Sequence, residues 1–297
     1  MNKAFQNIAI LGRHADPRVA EPMQGLAVYL TKAGVGVIAS PDAAASLEAR
    51  AVAGEDIADE ADLIIAVGGD GTMLRAAALT GSGKIPLLGV NRGRLGFLAD
   101  VSPNEMLENL EQILDGNYSR ETRLQLNATI TSSDGTERIA VALNDIVLQR
   151  RDTGRMVDFE TRIADRFVNN HSGDGLIVAT PTGSTAYALS CGGPIIEPYL
   201  DSVVVVPICP HTLSDRPIVI PSGLDIEVSL MWRDDTKAEV SVDGHSLGEL
   251  EADDKLLISE SDDRITLIHQ PGYDFYEILR SKLHWGRDSR VRRHQGE

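Results

Sequence analysis

Gly68-Gly69-Asp70-Gly71-Thr72 constrains this chain more than any other stretch. Residues 61–67 before it are short, apolar and rich in branched side chains, and read as a buried strand. Residues 73–79 after it read as the start of a helix. A glycine-rich junction from strand to helix is where open α/β sheets bind ligands. The glycines let the backbone turn sharply and let a ligand approach it, and the unpaired first amides of the helix favour an anion. Asp70 is the only carboxylate in this loop. It would repel a phosphate unless a metal ion stood between them or a hydroxyl needed its base. A carboxylate beside phosphate-cradling amides is the arrangement expected for phosphoryl transfer to an alcohol. The alternative is a plain turn with an Asx cap.

Phosphate binding here has to be local. The 297 residues carry a net charge of −16, with a pI near 4.8, which argues against a nucleic-acid or anionic-membrane partner. Bulk charge cannot attract an anionic substrate either, so amides, a few arginines and a metal ion must do so. The length suffices for two domains with real cores, and 42% hydrophobic with 24% charged residues is ordinary for a globular protein. No apolar run approaches the ~20 residues of a membrane span. The N-terminus runs almost directly into a strand, so no signal peptide is expected. Cys191 and Cys209 are the only cysteines, too few for a disulfide framework or a zinc site, and fit a reducing cytosol.

In order, residues 6–12 read as a first strand. Val19, Met23, Leu26, Ala27 and Leu30 then share one helical face, and residues 35–39 form a second strand. Residues 34–39 match GxGxxA by chance, because they lie between a helix and a strand rather than after a strand. The strand at 61–67 leads to Asp70. Residues 85–90 form the next, ending in a second glycine-rich loop, Asn91-Arg92-Gly93-Arg94-Leu95-Gly96-Phe97-Leu98. A helix is expected over 103–115, with Ser102 as cap and Glu105 at the capping-box position. This alternation predicts an α/β domain over 1–117 with a parallel, Rossmann-like sheet. Near residue 118 the period changes to short alternating runs: 124–130, 139–148, 158–164, 175–180, 202–208, 218–220, 225–230, 239–242, 255–259 and 264–268. They predict an all-β, sandwich-like domain over 118–270. Residues 271–297 are expected to give a C-terminal helix and a disordered tail, and the segment could return to the first domain.

Two stretches break the strand pattern. Asn144-Asp145 places an amide and a carboxylate inside an apolar run, where a buried carboxylate is costly without a partner. A ligand or a paired structural Asp would each explain it. The second stretch starts at Asp174-Gly175 and runs through Thr180-Pro181-Thr182-Gly183-Ser184-Thr185-Ala186-Tyr187 to Ser190. Its hydroxyls and free amides after a glycine suit a diphosphate or a ribose, or a well-capped turn. Residues 211–217 read as a structural loop and Asp243-Gly244-His245 as a hairpin turn.

In this combination the chain closely resembles the NAD kinases, ATP-NAD 2′-phosphotransferases of the bacterial cytosolic type, over roughly residues 5–285. Gly68–Thr72 alone is shared with diacylglycerol, sphingosine and phosphofructo-kinases. Asn144-Asp145 and the stretch from Asp174 to Tyr187 make the match specific. The resemblance implies Asp70 as base or metal-organising acid. It implies substrate or nucleotide contacts at Gly71, Arg75, Asn144, Asp145, Asp174, Thr185, Ala186, Tyr187 and Ser190, with Arg155 and His245 at positions where the family varies. Asp145 stands where the family has Glu, and Ser172 where relatives are often basic. Mg²⁺ would arrive on ATP rather than in a protein cage. NAD would lie between the domains with its adenosine ribose toward Asp70, the β domain recognising NAD and the first domain transferring the phosphoryl group. A cytoplasmic homo-oligomer, tetramer or dimer, is implied too. A lipid or sugar kinase with the same loop would leave Asn144-Asp145 and 185–190 unexplained, and a non-catalytic nucleotide sensor would have no use for Asp70.

Overall fold

The computed structural model describes residues 3–81, 83–93, 95–151, 156–231 and 237–284. The chain forms two compact units, one built from residues up to Glu121 together with those from Thr266 on, the other from Thr122–Ile265.

The first unit begins as β1 (Asn7–Gly12), α1 (Pro17–Lys32), β2 (Gly36–Ala39), α2 (Pro41–Leu47), β3 (Arg50–Ala51), α3 (Ile57–Glu60), β4 (Leu63–Val67), α4 (Asp70–Ala77), β5 (Leu87–Val90), α5 (Met106–Leu114) and β6 (Ser119–Arg123). In α1, Pro17 sits in the first turn and the Asp16 side chain accepts from the Arg18 amide. Val19, Met23, Leu26, Ala27 and Leu30 make its buried stripe, as expected. All five residues of β4 are buried, the mark of a strand covered on both faces. The short α2, β3 and α3 were not legible. The helix expected from residue 103 starts only at Met106, because Ser102 accepts the Asn104 amide in a turn ahead of it.

The second unit contains β7 (Leu126–Thr131), β8 (Glu137–Ala142), β9 (Asp145–Arg150), β10 (Val157–Ile163), β11 (Arg166–Gly173), β12 (Gly175–Ala179), α6 (Tyr187–Ser190), β13 (Ser202–Ile208), β14 (Ile218–Pro221), β15 (Ile226–Leu230), β16 (Ala238–Val242), β17 (His245–Leu250) and β18 (Lys255–Glu260). They form two antiparallel six-stranded sheets, ordered β11-β10-β15-β18-β7-β8 and β14-β13-β12-β9-β16-β17. Phe159, Leu176, Val178, Val228, Val240 and Ile258 lie in the apolar core that the alternating runs predict. The single run expected at 139–148 breaks at Leu143-Asn144. There the chain leaves the first of these sheets as β8 and enters the second as β9. β11 and β17, polar and largely exposed, were missed.

The chain then returns to the first unit with β19 (Ile265–His269) and α7 (Phe275–Leu283). The run at 264–268, assigned from its alternation to the β domain, instead pairs parallel to β5. The first sheet is ordered β3-β2-β1-β4-β5-β19-β6, and the pairs from β3 through β19 are parallel. Successive strands spread one way from β1 and the other way from β4. Gly12 and Gly68 therefore close the two strands flanking the switch point, where such sheets open a crevice.

Candidate active site

In the first unit the site grows from the junction of β4 and α4. The helix begins at Asp70 itself, with Gly69 as an N-cap that supplies no side-chain acceptor. A carboxylate in the first turn suits the positive end of the helix dipole. Gly68 is required here, since an added Cβ would meet Thr72 Oγ1 at 2.1 Å. The Asp70 carboxylate reaches across to the second glycine-rich loop. Its Oδ2 accepts from the Phe97 amide at 3.1 Å, and its Oδ1 from the Leu98 and Ala99 amides at 3.0 and 3.4 Å. Gly96 leaves room for it, because a Cβ there would stand 2.3 Å from Oδ1. The two glycine-rich loops are thus joined through Asp70.

Beside this junction, at the ends of β1 and β2, lies a cavity of about 420 Å³ lined by Arg13, His14, Asp42, Thr72 and Arg75 among others. Arg75, chosen from sequence, sits in the last turn of α4. Arg13 and His14 were missed, because a short loop after a first strand carries no pattern. Arg92 was missed as well. Its Nη2 would be the nearest atom to a Cβ on Gly69, at 3.9 Å, and its Nη1 lies 3.3 Å from Asp16. Arg13 and Arg75 line the cavity, and Arg92 lies toward Gly69 at the start of α4.

In the second unit the corner between β8 and β9 carries Asn144 and Asp145. A two-residue hairpin, Asp243-Gly244, faces it. Both turn residues have positive φ, +49° and +79°, between the paired Val242 and His245, which is type I′ geometry. The Asp243 carboxylate accepts from the amides of Leu143, Asn144 and Asp145 at 2.8, 2.8 and 3.1 Å. Asp145 itself is 7% exposed. Burial, and then the neighbouring Asp243 charge, push its carboxyl up to about 6. Burial raises Asp243 too, against the pull of its three amides.

The turn after β12 sits on the same corner. The Thr180 hydroxyl donates to Leu143 O at 2.6 Å and its amide to Asn144 O at 2.9 Å. A Cβ on Gly183 would fall 2.0 Å from Asn144 O, so only glycine allows this approach. The hydroxyls that looked suited to a ligand are partly spent locally. Ser184 Oγ donates to Pro181 O and accepts from the Ile196 amide, and Thr185 Oγ1 donates to Thr182 O. Ala186 and Tyr187 follow, and the Tyr187 hydroxyl accepts from Gln149 Nε2 at 3.0 Å. Tyr187, Ser190 and His245 are exposed.

The fold therefore brings Asn144, Asp145, Asp243 and the segment from Thr180 together. It does not bring Asp174 to them. Asp174 lies at the opposite end of β12, 3.1 Å from Arg150. Arg155 lies outside the described residues. Asp243 was read only as part of a turn, although Asp-Gly between alternating runs was the available signal. Among the described residues no group of three or more His, Cys, Asp or Glu could hold a metal ion, and no helix is long and apolar enough to cross a membrane.

Residues 16–118 match the family model described as the ATP-NAD kinase N-terminal domain, and residues 143–270 that of the ATP-NAD kinase C-terminal domain. A NAD kinase of Nitrosospira multiformis is 45% identical over 96% of this chain and 97% of its own. One of Nitrosococcus oceani is 43% identical over 97% and 99%. Among solved structures, yeast NADH kinase complexed with NADH superposes with a TM-score of 0.88 at 25% identity, covering 95% of this chain and 88% of that one. An Archaeoglobus fulgidus NAD kinase in complex with ATP gives 0.72 at 26% identity, covering 94% and 98%. With both family models matched over most of the chain and relatives more than 40% identical along nearly all of its length, the chain belongs to the ATP-NAD kinase family.

Proposed function

We propose that the chain carries out the family reaction with a division of labour between its units, transferring the γ-phosphoryl group of ATP to the adenosine ribose 2′-hydroxyl of NAD. The observation that carries this reading is Asp70, fixed at the start of α4 by three amides from the second glycine-rich loop. Two carboxylate oxygens offer about four lone-pair sites, so one remains for a hydroxyl proton or a cation. Asp70 takes that proton or orients the cation. The first amides of α4, with Arg75, Arg92 and Arg13, neutralise the triphosphate. With no protein cage for it among the described residues, Mg²⁺ comes with the nucleotide, where it neutralises charge on the phosphate oxygens.

The second unit reads NAD. Asn144 and Asp145 suit ribose hydroxyls and an amide, with Thr185, Ala186, Tyr187, Ser190 and His245 as further contacts, whereas Asp174 lies away from this group at the far end of β12. Tyr187, 38% exposed, presents a ring face to a base. Tyr187→Ala is expected to raise KM for NAD well above any change in KM for ATP in steady-state assays. The reverse ratio would mean that the roles of the units are exchanged.

Exposed apolar side chains on the second unit, Tyr199, Leu200, Leu213 and Val219, support a homo-oligomer, a tetramer or a dimer. Two free cysteines suit a cytoplasmic location. The purified protein, incubated with NAD, ATP and Mg²⁺, is expected to form NADP, and to form none without the divalent cation. Titration of the protein alone with Mg²⁺ is expected to show no tight binding. No NADP with any phosphoryl donor would overturn the reading.

A further inference from the structure

The amides that hold Asp70 are followed at once in the chain by a buried carboxylate, Asp100. Asp100 is 6% exposed, and its Oδ2 lies 2.9 Å from Nδ1 of His269 in β19. Nε2 of the same ring lies 2.9 Å from Oε2 of Glu121 in β6, and His269 and Glu121 are each 1% exposed. The Tyr273 ring stacks on the imidazole with centroids 3.7 Å apart and planes 14° from parallel. Among the described residues, the titratable groups seen against His269 are Asp100 from the loop after β5, Glu121 from β6 and Tyr273 from the segment before α7. Only the imidazolium can donate to both carboxylates. Burial opposes its charge, but the bonds to Asp100 and Glu121 outweigh burial and raise His269 above its usual value.

A buried ionic trio is a poor device for stability alone, since apolar residues of similar volume usually do as well. Its position suggests another use. Ala99 donates its amide to Asp70 and accepts the Gly96 amide at 2.9 Å, and Asp100 follows at once. Val101 N donates to Gly89 O, and Asn91 N to Val101 O, so the backbone beyond Asp100 is tied to the end of β5. The stretch 96–99 is thus a short strap, anchored on one side by Asp70 and on the other by Asp100. We propose that His269 is a positioning residue for Asp70: bridging Glu121 and Asp100, it fixes the strap whose amides set the Asp70 carboxylate in place. The inference rests on the reading of Asp70 as the transfer residue.

The test compares His269→Gln, Asp100→Ala, Asp100→Asn and Asp70→Asn in the full chain, with folding checked by circular dichroism. His269→Gln and Asp100→Ala are expected to lower kcat by about 10- to 100-fold, the scale of a misplaced catalytic group, with KM for NAD and for ATP little changed. Asp100→Asn, which can still accept from the ring, is expected to recover most of the loss. In the Asp70→Asn background, His269→Gln is expected to lower kcat no further, because two residues acting through one group are not additive. Folded His269→Gln and Asp100→Ala variants with wild-type kcat, or a full additional loss in the double variant, would overturn the proposal and leave Asp70 untouched. Wild-type turnover in Asp70→Asn would overturn both. If His269→Gln and Asp100→Ala fail to fold, the pH profile of kcat decides. Its alkaline limb must move to lower pH in Asp100→Asn, since one carboxylate fewer holds the proton, and an unmoved limb would overturn the proposal.

Discussion

Asp70→Asn is expected to lower kcat by at least about 100-fold, the usual range for lost general-base help, with NAD affinity almost unchanged. The carboxamide keeps the shape but not the acceptors. Asp70 receives three amides on two oxygens. Asn has one carbonyl oxygen, so its NH₂ group must turn toward at least one of Phe97, Leu98 and Ala99, where donor faces donor. The variant therefore loses the base and loosens the strap together, and its melting temperature should fall as well. Single-turnover kinetics and calorimetric titration with NAD separate the two losses. Near-full turnover would move the role to the nucleotide-borne cation or to another group.

The second large effect has two opposite signs. Asp145→Asn is expected to weaken NAD binding by about 1–3 kcal/mol, the usual cost of a mismatched buried polar group, and to stabilise the free protein at neutral pH. The folded-state value of about 6 lies above the ordinary 3.8, so ionising Asp145 costs more in the folded chain than in the unfolded one. The stability that its protonated form allows is fully present below about pH 3.8 and is lost as pH rises through 6. Two pKa units correspond to about 3 kcal/mol. Urea midpoints at pH 8 should be higher in Asp145→Asn than in the parent and should converge with it near pH 4. Unchanged NAD affinity with a lower midpoint at pH 8 would instead mark Asp145 as a structural residue. Binding function, on this reading, is retained at the expense of the free fold.

The sequence conveyed the main strand–helix alternation of the first unit well, because β4 and β5 are buried on both faces and α1 and α5 carry clear apolar stripes. β4, α1 and the junction at Asp70 stood out for that reason. The β unit was legible as a class, but its connections were not. Nothing in the apolar run across 139–148 says that the chain changes sheets at Leu143-Asn144, because side-chain period is blind to which sheet a strand joins. β11 and β17 are edge strands whose polar, exposed residues look like loops. In the site, glycine-rich loops and paired polar residues announced themselves. Partners distant in sequence did not. Asp243 lies about 100 residues from the amides it caps, and His269 is 169 residues from Asp100.

The return of β19 to the first sheet also sets an order of events during synthesis. β5 and β6 are both made within the first 123 residues, yet the strand between them is the last strand among the described residues. At translation rates of about 5–20 residues per second, the gap between β5 and β6 stands open for roughly 7–30 s while the whole β unit is made. His269, the bridge to Asp100 and Glu121, emerges only at the end of that interval. The N-terminal glycine-rich loops are thus among the early parts to be synthesised, and the strap over Asp70 is fastened only when nearly all of the protein exists. A nascent chain that stops short carries the loop sequence without the means to hold it.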